Sequence, residues 1–195
     1  MSTLNLNDLF WTFQGEGFNA GRRSLFVRLP YCNLRCSWCD TEFNYFKRYS
    51  ENDFQSIINQ ELSPFAVLTG GEPLMNPQIE TVIQFLKDRN FLIACETNGT
   101  QSYVDGIDWV TCSPKQDSKW MVHEDLVPKV SEYKYVVDSD FDFSILDRHD
   151  NDHVAKYLSP EFNDMNTNVN KIIEYIKGHP KWSLSLQTHK WIGIP

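Results

Sequence analysis

Short apolar segments alternate with helical patterns along this chain, and this alternation limits the fold more than any other feature. Seven segments are apolar, rich in β-branched and aromatic residues and bounded by turn signals, as buried strands are. They are 24–29, 65–68, 91–95, 109–112, 133–137, 154–158 and 182–186. Strands that alternate with helices predict an α/β fold with a mostly parallel sheet.

Three other segments carry apolar residues at the 3.6-residue period of an amphipathic helix. The first begins at Ser50-Glu51-Asn52-Asp53, which resembles a capping box with aspartate in place of glutamate. Asn76-Pro77 is a second helix-start signal. The apolar positions are Phe54, Ile57, Ile58 and Leu62 in the first helix, Ile79, Val82, Ile83 and Leu86 in the second, and Val169, Ile172, Ile173 and Ile176 in the third.

Polar clusters follow predicted strands at 31–40, 69–73, 96–100, 113–115 and 187–190. All of them therefore lie at strand C-terminal ends, the edge where parallel α/β proteins bind ligands. Complete eight-fold barrels begin at roughly 200 residues, and this chain has about seven predicted strands in 195 residues. We therefore expect an incomplete barrel with a curved, mostly parallel sheet, formed as a single domain over residues 1–195.

The charge and hydropathy of the chain argue against a nucleic-acid substrate and against a membrane-spanning or exported protein. The formal net charge is −8, and no run of lysine or arginine is present, so binding to a nucleic-acid backbone has little electrostatic support. No apolar run reaches about 18 residues and no basic-then-apolar N-terminus is present, so neither a membrane span nor a signal peptide is predicted. We expect a cytoplasmic protein.

Three of the five cysteines fall within eight residues, as Cys32-x3-Cys36-x2-Cys39. A cytosolic chain keeps its thiols reduced, so this clustering favours a metal or redox role over disulfides. One loop with this spacing can place three thiolates on three corners of a cubane 4Fe-4S cluster and leave the fourth iron open to a substrate. The alternative is a zinc site, but zinc usually requires four ligands, and no second Cys-x2-Cys pair exists. Cys95 and Cys112 lie inside apolar strands and are interpreted as core thiols.

The cysteine motif resembles that of the radical S-adenosylmethionine (SAM) superfamily, in which an aromatic residue, here Trp38, precedes the last cysteine. Thr69-Gly70-Gly71-Glu72-Pro73 is similar to the superfamily's motif for the SAM amino group. Its glycines permit close backbone approach and Glu72 can complement the ammonium. The alternative for such a segment is an ordinary turn. The resemblance implies reductive cleavage of SAM at a 4Fe-4S cluster.

A narrower resemblance covers nearly the whole chain. The segment Phe13-Gln14-Gly15-Glu16-Gly17, Arg28, Cys39-Asp40-Thr41 and a terminal Gln-Thr-His-Lys-x-x-Gly-Ile-Pro are similar to those of the 7-carboxy-7-deazaguanine synthase family. This resemblance implies ring contraction of 6-carboxy-5,6,7,8-tetrahydropterin to 7-carboxy-7-deazaguanine with loss of ammonia, in queuosine and related 7-deazapurine biosynthesis. It further implies hydrogen abstraction from C6 by a 5′-deoxyadenosyl radical, Mg²⁺ that steers the rearrangement, and regeneration of SAM.

The family resemblance also assigns residues to ligands. The residues that match the family's pterin-binding positions are Phe13, Gln14, Gly15, Arg28, Thr97 and Pro195. The residues that match the family's SAM-binding positions are Glu72, Gly99, Ser113, Pro114, Lys115, Leu158, Ser159, Pro160 and Glu161. The alternative for Gly99, 113–115 and 158–161 is an ordinary turn or strand exit. Thr41 matches the residue that contacts Mg²⁺, with a turn residue as its alternative. Arg28 offers a forked cation for the substrate carboxylate, with a plain ion pair as its alternative.

The end of the chain stays apolar from Trp191 to Pro195, so we expect it to be packed. Folded over the strand ends, Pro195 would bring a carboxylate to the pterin; the alternative is that the tail only covers an apolar patch. His189 and Lys190 receive no role from the sequence.

The partners implied are the small-molecule pterin, an electron donor such as flavodoxin or ferredoxin, and a second copy of the chain in a homodimer.

Two rival functions remain open. A glycyl-radical-enzyme activating enzyme is also a small radical SAM protein, but it gives no reason for the segment from Gln14 to Gly17. A non-enzymatic zinc or iron-sulfur module would show no SAM cleavage.

Overall fold

The structure is a computed structural model that describes residues 3–59, 64–149 and 153–195. The strands in these ranges are β1 (Leu4–Leu6), β2 (Asp8–Phe13), β3 (Arg23–Leu29), β4 (Lys47–Tyr49), β5 (Phe65–Gly70), β6 (Leu92–Thr97), β7 (Trp109–Cys112), β8 (Glu132–Val137), β9 (Ala155–Pro160) and β10 (Ser183–Leu184). The α-helices are α1 (Glu51–Ile58), α2 (Ile79–Lys87), α3 (Met165–Gly178) and α4 (Thr188–Ile192).

Eight strands form one sheet in the order β10-β9-β8-β7-β6-β5-β3-β2. Every neighbouring pair from β3 to β10 is parallel, and only β2 runs antiparallel, to β3. This confirms the α/β fold with a mostly parallel sheet. The sequence analysis missed β2, because an edge strand with half-exposed positions lacks a continuous apolar run. It also missed the short antiparallel pair of β1 and β4.

The two faces of the sheet differ in character because successive side chains of a strand point to opposite faces. Leu25, Val27 and Leu68 belong to the large core that the helices cover. Phe26 and Val67, which alternate with them, belong to a small apolar cluster on the other face. Toward the C-terminal edge this second face becomes polar, with Arg28 two residues after Phe26, Thr69 two after Val67 and Glu96 two after Ala94.

The first two helices begin as the sequence predicts. Both bonds of the capping box form at α1: the Ser50 hydroxyl accepts from the Asp53 amide, and the Asp53 carboxylate accepts from the Ser50 amide. Helix α1 buries Phe54 and Ile58, whereas Leu62 lies outside the described residues. Helix α2 follows the Asn76 signal and buries Ile79, Val82, Ile83, Phe85 and Leu86.

The prediction that the apolar C-terminal segment is packed is wrong for Trp191 and Ile192. Trp191 is 62% exposed and Ile192 is 66% exposed. The segment forms the short helix α4, which ends at Gly193 with φ +70°. Both residues project from α4 into solvent. No helix in the described ranges is long and apolar enough to cross a membrane.

Candidate functional site

Two adjoining cavities lie at the polar C-terminal edge of the sheet. The larger has a volume of about 390 Å³ and is bounded by the end of β2, by β3 and by the tail. The smaller, of about 180 Å³, is bounded by the cysteine loop and the ends of β5 to β8. Both are lined by Glu16, Asp40, Thr41, Thr69, Glu96 and Gln187. Because they share these walls, molecules bound in the two cavities would be neighbours.

The larger cavity brings together five of the six residues predicted to bind the pterin. They are Phe13, Gln14, Gly15, Arg28 and Pro195. Gln14 donates through Nε2 to Glu96 Oε1 at 2.9 Å, and Arg28 donates through Nη1 to Thr41 Oγ1 at 3.4 Å. The sixth, Thr97, lies elsewhere: it lines the smaller cavity, and its hydroxyl donates to Glu72.

All three cysteines of the motif line the smaller cavity. The loop turns tightly, with the Cys39 amide donating to the Cys36 carbonyl at 3.1 Å. Burial raises the pKa of Cys32, and it raises that of Cys36 to about 11 despite the nearby Lys115. Burial thus keeps Cys32 and Cys36 protonated in the absence of a metal, and a metal centre bound here would have to displace their protons.

Within the described ranges, no three His, Cys, Asp or Glu side chains are grouped to hold one metal ion. Cys95 and Cys112 are fully buried in the helix-covered core, and burial raises the pKa of both.

Glu72 is fully buried behind the glycines that line the smaller cavity. Its carboxylate accepts from the Thr97 hydroxyl at 2.7 Å and from the amides of Asn98 and Leu74 at 2.7 and 3.0 Å. Burial raises its pKa to about 6 against the effect of these bonds. The carboxylate thus joins the ends of β5 and β6, and its contact with the SAM amino group stays a prediction.

The other residues predicted to bind SAM divide into three groups. Ser113 and Lys115 line the smaller cavity, where the Lys115 ammonium lies 5.1 Å from the centre of the Trp38 ring. Ser159, Pro160 and Glu161 line a third cavity of about 80 Å³ that also borders Trp38. Gly99, Pro114 and Leu158 line none of these three cavities.

The sequence analysis missed a buried charge network between the two main cavities. Lys134 of β8, with its side chain 8% exposed, pairs with Glu16 and lies 3.8 Å from Glu96 Oε1. Burial alone would lower the pKa of Lys134 and raise that of Glu96. The charges of Glu16 and Glu96 together raise the pKa of Lys134 in spite of burial. The charge of Lys134, together with hydrogen bonds from Gln14 and Thr69, lowers the pKa of Glu96. The available signal was a lysine in the middle of an apolar strand, which requires a buried partner.

Helix α4 closes the site from the C-terminal side. The amide and hydroxyl of Thr188 both donate to the Gly15 carbonyl, at 3.1 and 2.9 Å. A Cβ at Gly15 would lie 2.0 Å from Nδ1 of His189, so only glycine fits there. Burial lowers the pKa of His189. The helix is therefore tied to the Gln14-Gly15 segment that lines the larger cavity.

Comparison with known proteins gives consistent matches over nearly the whole chain. The chain is 37% identical to the 7-carboxy-7-deazaguanine synthase of Haemophilus influenzae, over 97% of this chain and 93% of that protein. It is 34% identical to the 7-carboxy-7-deazaguanine synthase of Bacteroides thetaiotaomicron, over 97% of each. The crystal structure of QueE from Escherichia coli matches with a TM-score of 0.78 and 25% identity, over 94% of this chain and 93% of that one. No protein-family model matches the chain.

Proposed function

The chain belongs to the 7-carboxy-7-deazaguanine synthase family, and we propose that it is a radical SAM lyase that converts 6-carboxy-5,6,7,8-tetrahydropterin to 7-carboxy-7-deazaguanine with loss of ammonia, for queuosine biosynthesis. The observation that carries this proposal is the pair of adjoining cavities, one lined by the three motif cysteines and the other by Gln14, Arg28 and Pro195. A reaction in which a SAM-derived radical attacks a second molecule requires neighbouring sites of this kind.

We propose that Cys32, Cys36 and Cys39 hold the 4Fe-4S cluster, since all three line one cavity. With one iron left open, that cluster would supply the electron for reductive cleavage of SAM. Lys115 and Ser113 would hold the SAM carboxylate, because a cation and a hydroxyl there can both donate to it. The segment from Ser159 to Glu161 would take another part of SAM in the third cavity.

The larger cavity has the chemistry that a carboxypterin requires. Arg28 provides a permanent cation with forked donors for the substrate carboxylate. Gln14 can donate to and accept from the edge of the heterocycle, and its bond to Glu96 fixes its orientation. A carboxylate at Pro195 would accept from the 2-amino group and ring N–H of the pterin.

Thr41 is proposed to contact Mg²⁺. Its hydroxyl lies between Arg28 and Asp40, 3.4 Å from Nη1 of the former and from Oδ1 of the latter, and it lines both cavities. A hard oxygen beside the cation that would bind the substrate carboxylate can share Mg²⁺ with that carboxylate and with water.

The sheet is proposed to curve into an incomplete barrel. In a flat sheet, six strand spacings of about 4.8 Å would separate β2 from β9 by about 29 Å. Three residues past the end of β2, however, Glu16 accepts from Ser159 of β9 at 3.2 Å, and such a segment extends only about 10 Å. Curvature that brings both edges of the sheet toward each other accounts for this contact.

An electron donor such as flavodoxin or ferredoxin is proposed as the source of the electron, and a homodimer as the assembly. The dimer is supported by two adjacent large apolar residues of α4, Trp191 and Ile192, that are more than half exposed. Sedimentation of the purified chain at several concentrations tests it, and a monomer at micromolar concentration would contradict it.

The experiment that tests the function is anaerobic reconstitution with iron and sulfide, followed by incubation with reductant, SAM, Mg²⁺ and the carboxytetrahydropterin. We expect a product with the mass and absorption of the carboxydeazaguanine. SAM cleavage without this product would contradict the substrate and favour another radical SAM enzyme. No SAM cleavage by the reduced cluster would favour a non-enzymatic module.

A further inference from the structure

Glu132 is a buried carboxylate, 2% exposed, at the start of β8. Both of its oxygens have partners on other elements. Oε1 accepts from the Thr111 hydroxyl of β7 at 2.9 Å, and Oε2 accepts from the Phe18 amide at 2.9 Å. Its side chain therefore connects the middle of the sheet to the turn that follows β2.

This turn, residues 15–18, packs directly against the Glu132 carboxylate. Gly17 has φ +66°, and a Cβ at that position would lie 2.3 Å from Glu132 Oε1. The Gly17 amide donates to the buried Ser185 hydroxyl at 2.9 Å. Two consecutive amides of the turn are thus held by two side chains that line neither of the main cavities.

The turn carries the side chains that face the cavities. Gln14, immediately before it, accepts from the Glu16 amide through Oε1 at 3.1 Å and donates to Glu96. Glu16 lines both main cavities and pairs with Lys134. A shift of the turn would therefore move Gln14 and Glu16 together, and with them the wall of the larger cavity.

We infer that Glu132 is a positioning residue that fixes the turn 15–18 and thereby sets the orientation of Gln14 and Glu16 toward the pterin. The inference rests on the proposed function, since it assigns the pterin to the larger cavity. The carboxylate accepts from both the Thr111 hydroxyl and the Phe18 amide, so its loss would free the turn to shift toward other hydrogen-bond partners.

The test compares Glu132→Ala with Glu132→Gln in the reconstituted enzyme. The glutamine can keep both contacts, because its carbonyl accepts from the Phe18 amide and its NH₂ donates to the Thr111 hydroxyl. We expect E132A to raise the KM for 6-carboxy-5,6,7,8-tetrahydropterin about tenfold, the effect of one buried acceptor lost. E132Q restores the KM to within about twofold of the wild type, and the KM for SAM changes less than the KM for the pterin. Glu80→Ala, at an exposed site of α2, is the control.

Amide hydrogen exchange at Gly17 and Phe18 gives a second readout that needs no turnover. We expect faster exchange in E132A than in E132Q. An E132A enzyme with wild-type exchange and a KM for the pterin within about twofold of the wild type would overturn the inference. A wild-type enzyme that makes no product would instead contradict the proposed function, while the exchange data would still test the anchoring of the turn. If E132A does not fold, Glu132→Asp replaces it, because a carboxylate one methylene shorter cannot reach both the Thr111 hydroxyl and the Phe18 amide. Wild-type exchange and an unchanged KM for the pterin in E132D would also overturn the inference.

Discussion

The ammonium of Lys190 pairs with the carboxylate of Asp40, which joins helix α4 to the residue that directly follows the third cysteine of the motif. Partial burial would raise the pKa of Asp40, but the hydrogen bond and the charge of Lys190, with the charge of Arg28, together hold it below its usual value. The same ammonium lies 4.7 Å from the centre of the Phe162 ring, next to the third cavity. One side chain thus connects the C-terminal helix, the cysteine loop and the segment proposed to contact SAM.

Replacing Lys190 by methionine should loosen α4 from the cysteine loop. Because Asp40 is 57% exposed, the pair is screened by water, and we expect a loss of about 0.5–1 kcal/mol, seen as a KM for the pterin raised about threefold. The control is Lys177→Met, which removes a more exposed ion pair, with Glu174 on α3. Equal KM values for both variants would show that α4 is held in place without Lys190.

Each single alanine variant of the three motif cysteines, Cys32, Cys36 and Cys39, should lose the visible absorption of the reconstituted cluster and all SAM cleavage. The reason is that a site of three thiolates has no spare ligand. The matched controls are Cys95→Ala and Cys112→Ala, which are buried in the apolar core. These should keep the cluster and lose only about 1 kcal/mol of folding stability through a small cavity. Loss of the cluster in a folded Cys112→Ala protein would refute the ligand assignment.

Alanine in place of Arg28 should weaken pterin turnover far more than SAM binding. A charge-assisted bond to a carboxylate is worth about 1.5–3 kcal/mol, so kcat/KM for the pterin should fall by roughly ten- to a hundredfold. Arg48→Ala, at an exposed position of β4, is the control for loss of a surface cation. Equal losses for SAM and pterin would favour an ion pair that stabilises the fold.

The Thr41 hydroxyl can be tested through the concentration of Mg²⁺ that gives half-maximal activity. We expect Thr41→Ala to raise this concentration about tenfold, since an oxygen ligand is lost, and Thr41→Ser to stay near the wild type because it keeps the oxygen. Arg28 and Asp40 bond to the same hydroxyl, so the serine variant also controls for their displacement. The same Mg²⁺ dependence in all three proteins would leave Thr41 as a turn residue.

How far the sequence predicts this structure depends on whether a feature is local. Apolar runs and helix caps are local, so the parallel strands and the capping box of Ser50 and Asp53 were predictable. The edge strand β2 was not, because it is defined by pairing with β3 across a loop rather than by its own pattern. The second apolar cluster around Phe26 and Val67 also depends on which face each strand presents.

The candidate site shows the same division. The cysteine loop is contiguous in sequence, and its three cysteines line one cavity. Lys134 and Glu132 come from β8, far along the chain from Glu16 and Phe18, and their roles depend on contacts that sequence spacing does not indicate. The burial of Glu72 behind the wall of the cavity is likewise set by packing of β5 against β6 rather than by its motif.

The sequence left two roles open for the apolar tail: covering an apolar patch of the chain, or presenting a carboxylate to the pterin. Trp191 and Ile192 are exposed, so covering an apolar patch of the same chain does not explain the apolar tail. Pro195, in contrast, lines the larger cavity, and its main-chain oxygen accepts from the buried Thr12 hydroxyl at 2.8 Å. Pro195 therefore lies where a contact with a bound pterin is geometrically possible, and that contact stays a prediction.

Adding a few flexible residues after Pro195 tests this role, because in a chain that ends at Pro195 the addition converts the terminal carboxylate into an amide without deleting any part of the tail. An amide carbonyl presents one neutral acceptor where a carboxylate presents two charged ones, so the paired bonds to the pterin edge weaken. We expect the KM for the pterin to rise about tenfold or more, while SAM cleavage in the absence of pterin stays normal. The same residues added before Met1 are the control. An extended enzyme with an unchanged KM for the pterin would refute the carboxylate contact. The tail would then have only a structural role, its hydrogen bond with Thr12. That bond survives the extension, because the Thr12 hydroxyl can donate to an amide oxygen as well as to a carboxylate.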